Sequence, residues 1–463
     1  MRLIAPLLAS LLGACAVLEP GYDRPALPTP DAWPQGAAYE QSAEDAEALP
    51  DWRAFYTDET LRGLIEIALE NNRDLRIAAL NVERTRSLYR VQRAQSVPAL
   101  SVTASGQIGE TPVTAGGTGE TARLYNAQAE VANFELDLFG RVRSLNRAAL
   151  QRYFATEAGR DAAQISLISA VANAYIAYAG DRALLALAEQ TLHSQQEALA
   201  LTQQRFEAGA ASQLDVYRAQ TTVETARADV ARFTALTAQD QNALTLLLGA
   251  PAPESALAAA SGAMTAFDDS GLPAGLPSEV LLARPDILAA EHQLRAAHAD
   301  IGAARAAFFP SISLSGAAGE IDPRFENLFA GAGSTWSFVP RVSIPIFTGG
   351  ANLARLGVAE TDRDIAVAQY EQAIQIAFRE VADALAERGT IDEQVAAREA
   401  LAEAAANTYR LSDARYREGV DSYLGVLDAQ RQLYAAEQAL VSARAARSAN
   451  HVALFRALGG GAR

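Results

Sequence analysis

Hydrophobic and polar positions along the chain follow two periods, and each period recurs in two places. Between residues 59 and 95 the apolar side chains Leu61, Leu64, Ile65, Ala68, Leu69 and Leu75 fall at helical spacing, and Pro98 ends the run. Period two follows, with Leu100, Val102, Ala104 and Ile108 alternating with Ser101, Thr103, Ser105 and Gln107. Beyond a Gly- and Thr-rich loop at 109–121, Tyr125, Ala127, Ala129 and Val131 face one way and Asn126, Gln128 and Glu130 the other. Residues 141–205 then run without proline, a helix of ~100 Å at about 1.5 Å per residue. It turns at Gly209 and returns through about 35 residues. The second half repeats the order. Ile312 and Leu314 alternate with Ser311, Ser313 and Ser315; after a loop at 320–333, Trp336, Phe338, Val342 and Ile344 alternate with Ser337, Arg341 and Ser343. Residues 350–417 form the second proline-free helix, which turns at Gly419.

The repetition extends to residue identities. Arg205-Phe206-Glu207-Ala208-Gly209-Ala210-Ala211-Ser212-Gln213-Leu214-Asp215-Val216 is echoed 210 residues later by Arg415-Tyr416-Arg417-Glu418-Gly419-Val420-Asp421-Ser422-Tyr423-Leu424-Gly425-Val426. Leu248-Gly249 matches Leu458-Gly459 at the same offset, and Val97-Pro98-Ala99-Leu100 matches Phe309-Pro310-Ser311-Ile312 at 212. Blocks that keep their order and spacing mark a duplication. The chain therefore divides into residues 1–14, 15–56, a first repeat at 57–250, a Pro/Gly/Ala linker at 251–276 and a second repeat at 277–460.

Four strands of about ten residues, half polar and half apolar, have the length of membrane-spanning strands. One face of a soluble sandwich would need a second apolar layer, which the long alanine-rich helices do not supply. Four strands cannot close a barrel, and an open edge is not tolerated in lipid. The sheet must be completed by other copies of the chain. Two copies give eight strands filled by side chains; three give twelve, wide enough for a polar lumen.

Composition narrows the partners. The 463 residues carry 39 basic groups, all Arg, against 55 acidic ones, for a net charge of −16. That balance argues against nucleic acid, whose phosphates need basic surface. About a fifth of the chain is Ala, and only 7% is aromatic, which suits thin, closely packed helical layers rather than the three globular domains its length would otherwise suggest. One Cys and four His exclude disulfide scaffolds, zinc clusters and iron–sulfur sites. No run of 18 apolar residues occurs, so no transmembrane helix is expected. His292 and His298 are six apart and off the i, i+4 metal spacing; His193 and His451 stand alone. No carboxylate pair accompanies a nucleophile, so no metal, no cofactor and no enzymatic activity are expected.

At the amino terminus, Arg2 precedes an apolar run at 3–14, short for a bilayer span but sufficient for an export signal. It ends in Leu12-Gly13-Ala14-Cys15, which resembles the bacterial lipoprotein signal, with Cys15 as the lipidated first residue of the mature chain. Ala16 in the next position is compatible with sorting to an outer membrane, where acyl chains hold the protein firmly. Five prolines between Pro20 and Pro34 exclude helix and leave two readings, a tether lying over the folded body or a disordered linker.

The repeated Arg-[Phe/Tyr]-x-x-Gly-x-x-Ser-x-Leu-x-Val-x-x-Ala-Gln resembles the tip signature of the TolC-like outer-membrane efflux proteins. Trp52…Phe55…Leu61…Leu64-Ile65…Ala68-Leu69…Asn72…Asp74-Leu75 resembles the start of their first repeat. Arg284-Pro285-Asp286-Ile287…Ala290-Glu291…Leu294…Phe309-Pro310-Ser311-Ile312 resembles the start of the second, in the lipoprotein branch that serves resistance–nodulation–division (RND) pumps. The resemblance covers about Cys15 to Gly460. It implies an α+β membrane protein: a homotrimer whose twelve-stranded barrel in the outer membrane is continued by a long α-helical barrel in the periplasm. The implied function is a passive exit duct, fed by an inner-membrane RND pump through a periplasmic adaptor (membrane fusion) protein.

By motif position, Gly209, Ser212, Leu214, Gly419, Asp421 and Ser422 belong to the hairpin tips that meet the adaptor. Tyr416, Leu424, Asp428 and Arg431 occupy the positions of the resting gate. At the 210 offset Asp428 corresponds to Arg218, which suggests opposite charges holding neighbouring hairpins together; solvated surface charges are the alternative. Three leucines converging near an axis make a dewetted constriction. The net acidity, tripled, gives a tunnel or mouth that favours cations. Two other readings compete: a lipid-anchored periplasmic coiled-coil adaptor or structural protein, which has no use for the four strands, and a type I secretion channel of the same family. Drugs, metal ions and solvents all remain open as cargo.

Overall fold

The structure is a computed structural model that describes residues 18–39, 49–110, 121–260, 278–331 and 333–461. Its helices and strands follow in the order α1 (Trp52–Phe55), α2 (Glu59–Asn71), α3 (Arg73–Ala94), β1 (Leu100–Glu110), β2 (Thr121–Leu136), α4 (Arg141–Glu207), α5 (Gln213–Leu248) and α6 (Glu254–Ala259). The second half adds α7 (Pro285–Ala306), β3 (Ser311–Asp322), β4 (Ser334–Ser343), α8 (Ala351–Arg417) and α9 (Tyr423–Ala457). Two compact units share the chain. One gathers residues up to Ala26 with Asn81–Glu157 and Ala289–Glu371; the other comprises Leu27–Leu80, Ala158–Leu288 and Gln372–Arg463.

The first unit is built around an antiparallel sheet in the order β1-β2-β3-β4. Its register places Val102, Ala129, Ala318 and Trp336 in one row, and Leu100, Val131, Gly316 and Phe338 in the next. Because side chains alternate across a strand, all of these share one face. Thr103, Gln128, Gly319 and Thr335 make a row on the other, as do Glu135, Ser313 and Arg341 lower down. Nothing in the described chain covers the apolar face: Val102 is 79% and Trp336 77% exposed. Among the described residues, β1 and β4 each keep one open edge. β2 runs on past Val131, where sequence alternation stops, because a bulge between Val131 and Phe134 restores the apolar side for Phe134 and Leu136. Asn133 there takes φ 49°, a left-handed conformation Asn tolerates, and its N–H donates to Ser315 Oγ at 3.0 Å.

In the same unit, residues 18–26 lie against the helices. Glu19 pairs with Arg147 at 2.6 Å. Glu291 of α7, only 3% exposed, accepts from Tyr22 Oη (3.0 Å), Arg24 Nη2 (2.9 Å) and Arg295 Nη2 (2.7 Å). Burial pulls this carboxyl upward, but those three donors outweigh it and hold it below its usual range. His292 bonds Gln151 Oε1 at 2.7 Å and His298 meets the Tyr22 ring edge-on, so both serve packing.

The second unit holds the main core. Trp52, Phe55, Tyr56, Leu61, Leu64 and Ile65 pack on Ile168, Val171 and Tyr175 of α4, Leu244 and Leu248 of α5, and Phe455 of α9. Phe55 and Phe455 stack at 4.1 Å. One stretch of α4 is apolar enough, by length and composition, to cross a membrane, but 56% of it is buried, and this helix supplies Ile168, Val171 and Tyr175 to the core.

The helix expected over 59–95 is two helices. Asn72 takes an extended conformation (ψ 132°), accepts from the Leu75 N–H at 2.9 Å as the cap of α3, and donates to the Leu247 carbonyl at 2.8 Å. Gly249 ends α5 at φ 66°, so close to Asn71 that a Cβ would lie 2.4 Å from its carbonyl oxygen. The second repeat copies the arrangement with different chemistry. Arg284, 212 residues after Asn72, donates to the Ala457 carbonyl at 2.5 Å and pairs with Asp286 and Glu380 at 2.7 and 3.0 Å.

Candidate functional site

Each long helix turns back through the same backbone device. The Gly209 N–H donates to Phe206 O (2.9 Å) and the Ala210 N–H to Arg205 O (2.7 Å); the Gly419 N–H donates to Tyr416 O (3.0 Å) and the Val420 N–H to Arg415 O (2.9 Å). This is the Schellman pattern, which needs a left-handed residue after the helix, and Gly209 and Gly419 supply φ 77° and 74°.

The turns then differ. At the first, Ser212 and Asp215 form a capping box: the Asp215 N–H donates to Ser212 Oγ at 3.2 Å and the Ser212 N–H to Asp215 Oδ2 at 3.1 Å. The Ser212 hydroxyl, which donates to Asp215 Oδ2 at 2.7 Å, and then the Ser212 N–H hold the Asp215 carboxyl below its usual range. At the second, Gly425 stands where Asp215 stands in the first, and Ser422 makes no side-chain cap. Instead Arg415 Nε and Nη2 donate to Asp421 at 2.5 and 3.2 Å, and that bidentate link lowers the Asp421 carboxyl's pKa.

Next to the turns the structure brings four predicted residues together. Arg218 of α5 and Leu424, Asp428 and Arg431 of α9 line one groove of about 420 Å³, together with Thr191 and Gln195 of α4. Within the protomer Arg218 pairs with Asp215 at 3.8 Å, and Asp428 accepts from Gln432 at 2.8 Å, so the two are not each other's partners there. Leu424 is 52% exposed and Leu214 is exposed beside the first turn. Tyr416 sits apart from the groove, packed with Tyr409 and Leu199 against buried Tyr423, Val426, Leu427 and Ala219. Gly209, Ser212, Gly419, Asp421 and Ser422 all lie in the turns. Sequence reasoning passed over Arg205, Asp215 and Tyr423, although all three stand inside the duplicated motif. Cys15 lies outside the described residues. Among those residues, no group of three or more His, Cys, Asp or Glu is placed to hold a metal ion.

An amphipathic sheet with an uncovered apolar face and two open edges, joined in one chain to duplicated helical hairpins, defines the subunit of an outer-membrane channel. The family profile described as "Outer membrane efflux protein" matches residues 64–250 and 276–460. The chain is 47% identical over 457 residues to the toluene efflux pump outer membrane protein TtgC of Pseudomonas putida, covering 98% of this chain and 94% of that protein. Among solved structures it is similar to a membrane protein from Pseudomonas aeruginosa (TM-score 0.89, 44% identity, 96% and 100% of the two chains). It is also similar to the open state of the Neisseria gonorrhoeae MtrE outer membrane channel (TM-score 0.85, 37% identity, 96% and 98%). The chain belongs to the outer membrane efflux protein family.

The resemblance drawn from the motifs is thereby borne out, and the periplasmic adaptor reading falls. The fold class is the TolC-like one: an α+β membrane protein, duplicated, contributing four strands per chain to a trimeric channel with a helical periplasmic barrel. The protein is an outer-membrane channel for efflux that extends into the periplasm, and its family is one of channels.

Proposed function

We propose that three copies of the chain form the exit duct of a tripartite system, docked at its hairpin tips by a periplasmic adaptor protein and driven by an inner-membrane RND pump. The reading rests on one observation above all: the register leaves a continuous apolar face uncovered on one side of the sheet and a polar face on the other, with open edges on β1 and β4. Lipid outside, a polar lumen inside and neighbouring copies at the edges satisfy all three. Residues 1–14 act as the signal peptide and 15–56 as the N-terminal segment anchored in outer-membrane lipid through Cys15, whose end at Trp52, Phe55 and Tyr56 packs into the core rather than running extended; 57–250 and 277–460 are the repeats, joined by 251–276.

At the periplasmic end, Gly209, Ser212, Leu214, Gly419, Asp421 and Ser422 present the adaptor-contacting turns. Leu424 from each protomer forms the constriction, with Tyr416, Asp428, Arg431 and Arg218 holding it shut. Since Arg218 and Asp428 are not partnered to each other in one protomer, their proposed link is between protomers. TtgC is named for toluene, and apolar aromatic solvents are the cargo class proposed here.

Deleting the protein in its native cell and scoring growth under toluene vapour tests the assignment. Loss of tolerance, restored by the intact chain, supports it; unchanged tolerance removes solvents as cargo. In planar bilayers, Asp428→Ala and Arg218→Ala should raise conductance, and wild-type conductance in both ends the latch idea.

A further inference from the structure

The two tips descend from one motif, yet the same arginine does different work in each. In the second tip, Arg415 closes on Asp421 within its own turn. The equivalent of Asp421 in the first tip is Ala211, at the 210 offset, so Arg205 lacks the carboxylate on which Arg415 closes, while Asp215 of the first turn is engaged by Ser212 and Arg218. Among the described residues it makes no ion pair. Its guanidinium instead lies across the ring of Tyr416, 4.6 Å from the centroid, on the other hairpin. Tyr416 in turn rests 5.3 Å from the ring of Tyr423, itself 8% exposed in the small core between α4, α5, α8 and α9.

The backbone fixes this geometry. The Arg205 carbonyl accepts the Ala210 N–H of the Schellman turn, so only the side chain is free to choose a partner. A cation over the face of an aromatic ring is attracted by the ring quadrupole, and Arg is well suited because its planar group lies flat on the ring. Any movement that parts the two hairpins of one protomer must lift Tyr416 from Arg205.

We propose that Arg205 is a positioning residue of the gate, a clasp from the first hairpin onto Tyr416 of the second that exists because Ala211 leaves it without a partner in its own turn. The proposal rests on the gate reading of Tyr416 and Leu424. It makes an unusual demand: adding a carboxylate at position 211, and removing nothing, should release the gate. Ala211→Asp would draw Arg205 into its own turn as Asp421 draws Arg415.

The purified trimer in planar bilayers tests this with Arg205→Gln, Ala211→Asp and the double variant, beside Leu424→Ala and Tyr416→Ala. Arg205→Gln and Ala211→Asp should each raise the open-to-closed ratio roughly two- to fivefold per protomer, the size of one exposed cation–π contact. The double variant should open no more than either alone, since both remove the same contact. The melting temperature of the SDS-resistant oligomer should not move, which separates a clasp from a general loss of structure. If Leu424→Ala opens the channel while Arg205→Gln and Ala211→Asp do not, the gate stands and the clasp is wrong. Additive effects in the double variant also overturn it, because Ala211→Asp would then act without capturing Arg205. If none of the five variants opens, the gate reading fails, and the clasp with it.

Discussion

Gly249 and Asn72 meet at a point where a single atom decides the packing. A Cβ on Gly249 would lie 2.4 Å from the Asn71 oxygen, and the backbone there has φ 66°. Gly249→Ala should therefore cost about 2 kcal/mol or more, from the left-handed strain plus displacement of the α2–α3 junction. Gly63 is the control: nothing lies within 4 Å of its Cβ position, and it sits inside α2. Gly63→Ala should be neutral or stabilising by about 0.5–1 kcal/mol, the helix-propensity difference. Apparent melting of the oligomer reads both.

The lipid anchor can be read as directly. The chain has one Cys and no Lys, so after processing at Cys15 its only amine is the α-amine of Cys15 and its only thiol is that side chain. A mature protein acylated on both should react with neither amine- nor thiol-directed dyes after denaturation. Cys15→Ser should retain its signal, and with it the reactive amine of Met1. A wild-type protein that labels at its thiol refutes the anchor. Residue identities of this kind were open to reading from the start, because processing chemistry depends on local sequence; the partner of Gly249 was not, because Asn71 lies 178 positions away.

At the scale of elements, the sheet's two faces carry the functional assignment and can be set against each other. Trp336 lies on the apolar face and Ser337, its neighbour, on the polar one. Trp336→Arg should cost about 2–4 kcal/mol if it lies near the bilayer midplane and should lower outer-membrane assembly, whereas Ser337→Arg should assemble normally and change only ion selectivity. Equal assembly of the two would remove the lipid assignment of the face. The alternation was visible in sequence because the strand period is local. The Ala132–Asn133 bulge was not, since the extra residue exists only relative to β3.

The helices carry a pH response. Burial, and then the charge of Asp181 on α4, push Asp240 of α5 up to about 6, from an unfolded value of about 3.9. The fold thus favours the protonated carboxyl, so this stabilisation is complete below about pH 4 and is lost as pH rises through about 6. Apparent melting should fall between about pH 4 and 6, and Asp240→Asn should flatten that fall. Asp421 has the opposite sign: Arg415 lowers its pKa, so its contribution is present above the unfolded value and disappears only in stronger acid. A slope unchanged in Asp240→Asn would place the titration elsewhere.

For the whole molecule, the open edges of β1 and β4 make the monomer incomplete in lipid. Without heating, the protein should migrate in SDS as an oligomer of three mature chains, each derived from the 49.0 kDa precursor, and boiling should yield the single chain. A monomer band in unheated outer membranes would contradict closure by neighbouring copies. The length and acidity also take on their meaning at this scale. Instead of three globular domains, 463 residues make one duplicated unit, and alanine excess suits its closely packed helices.

By itself the sequence determined the duplication, the two hydrophobic periods, the faces of the strands, the glycine turns and the family. Each of these is written in residues close together or repeated at a constant offset, and needs no knowledge of what lies across from them. Only the tertiary structure decided the break at Asn72, the apolar stretch of α4 as core, the bulge in β2, and the groove that gathers Arg218, Leu424, Asp428 and Arg431. It also decided that Arg205 and Arg415, identical in motif, take different partners. Caps, bulges and side-chain clasps depend on the segment that arrives from elsewhere in the chain, and local periodicity does not encode that arrival.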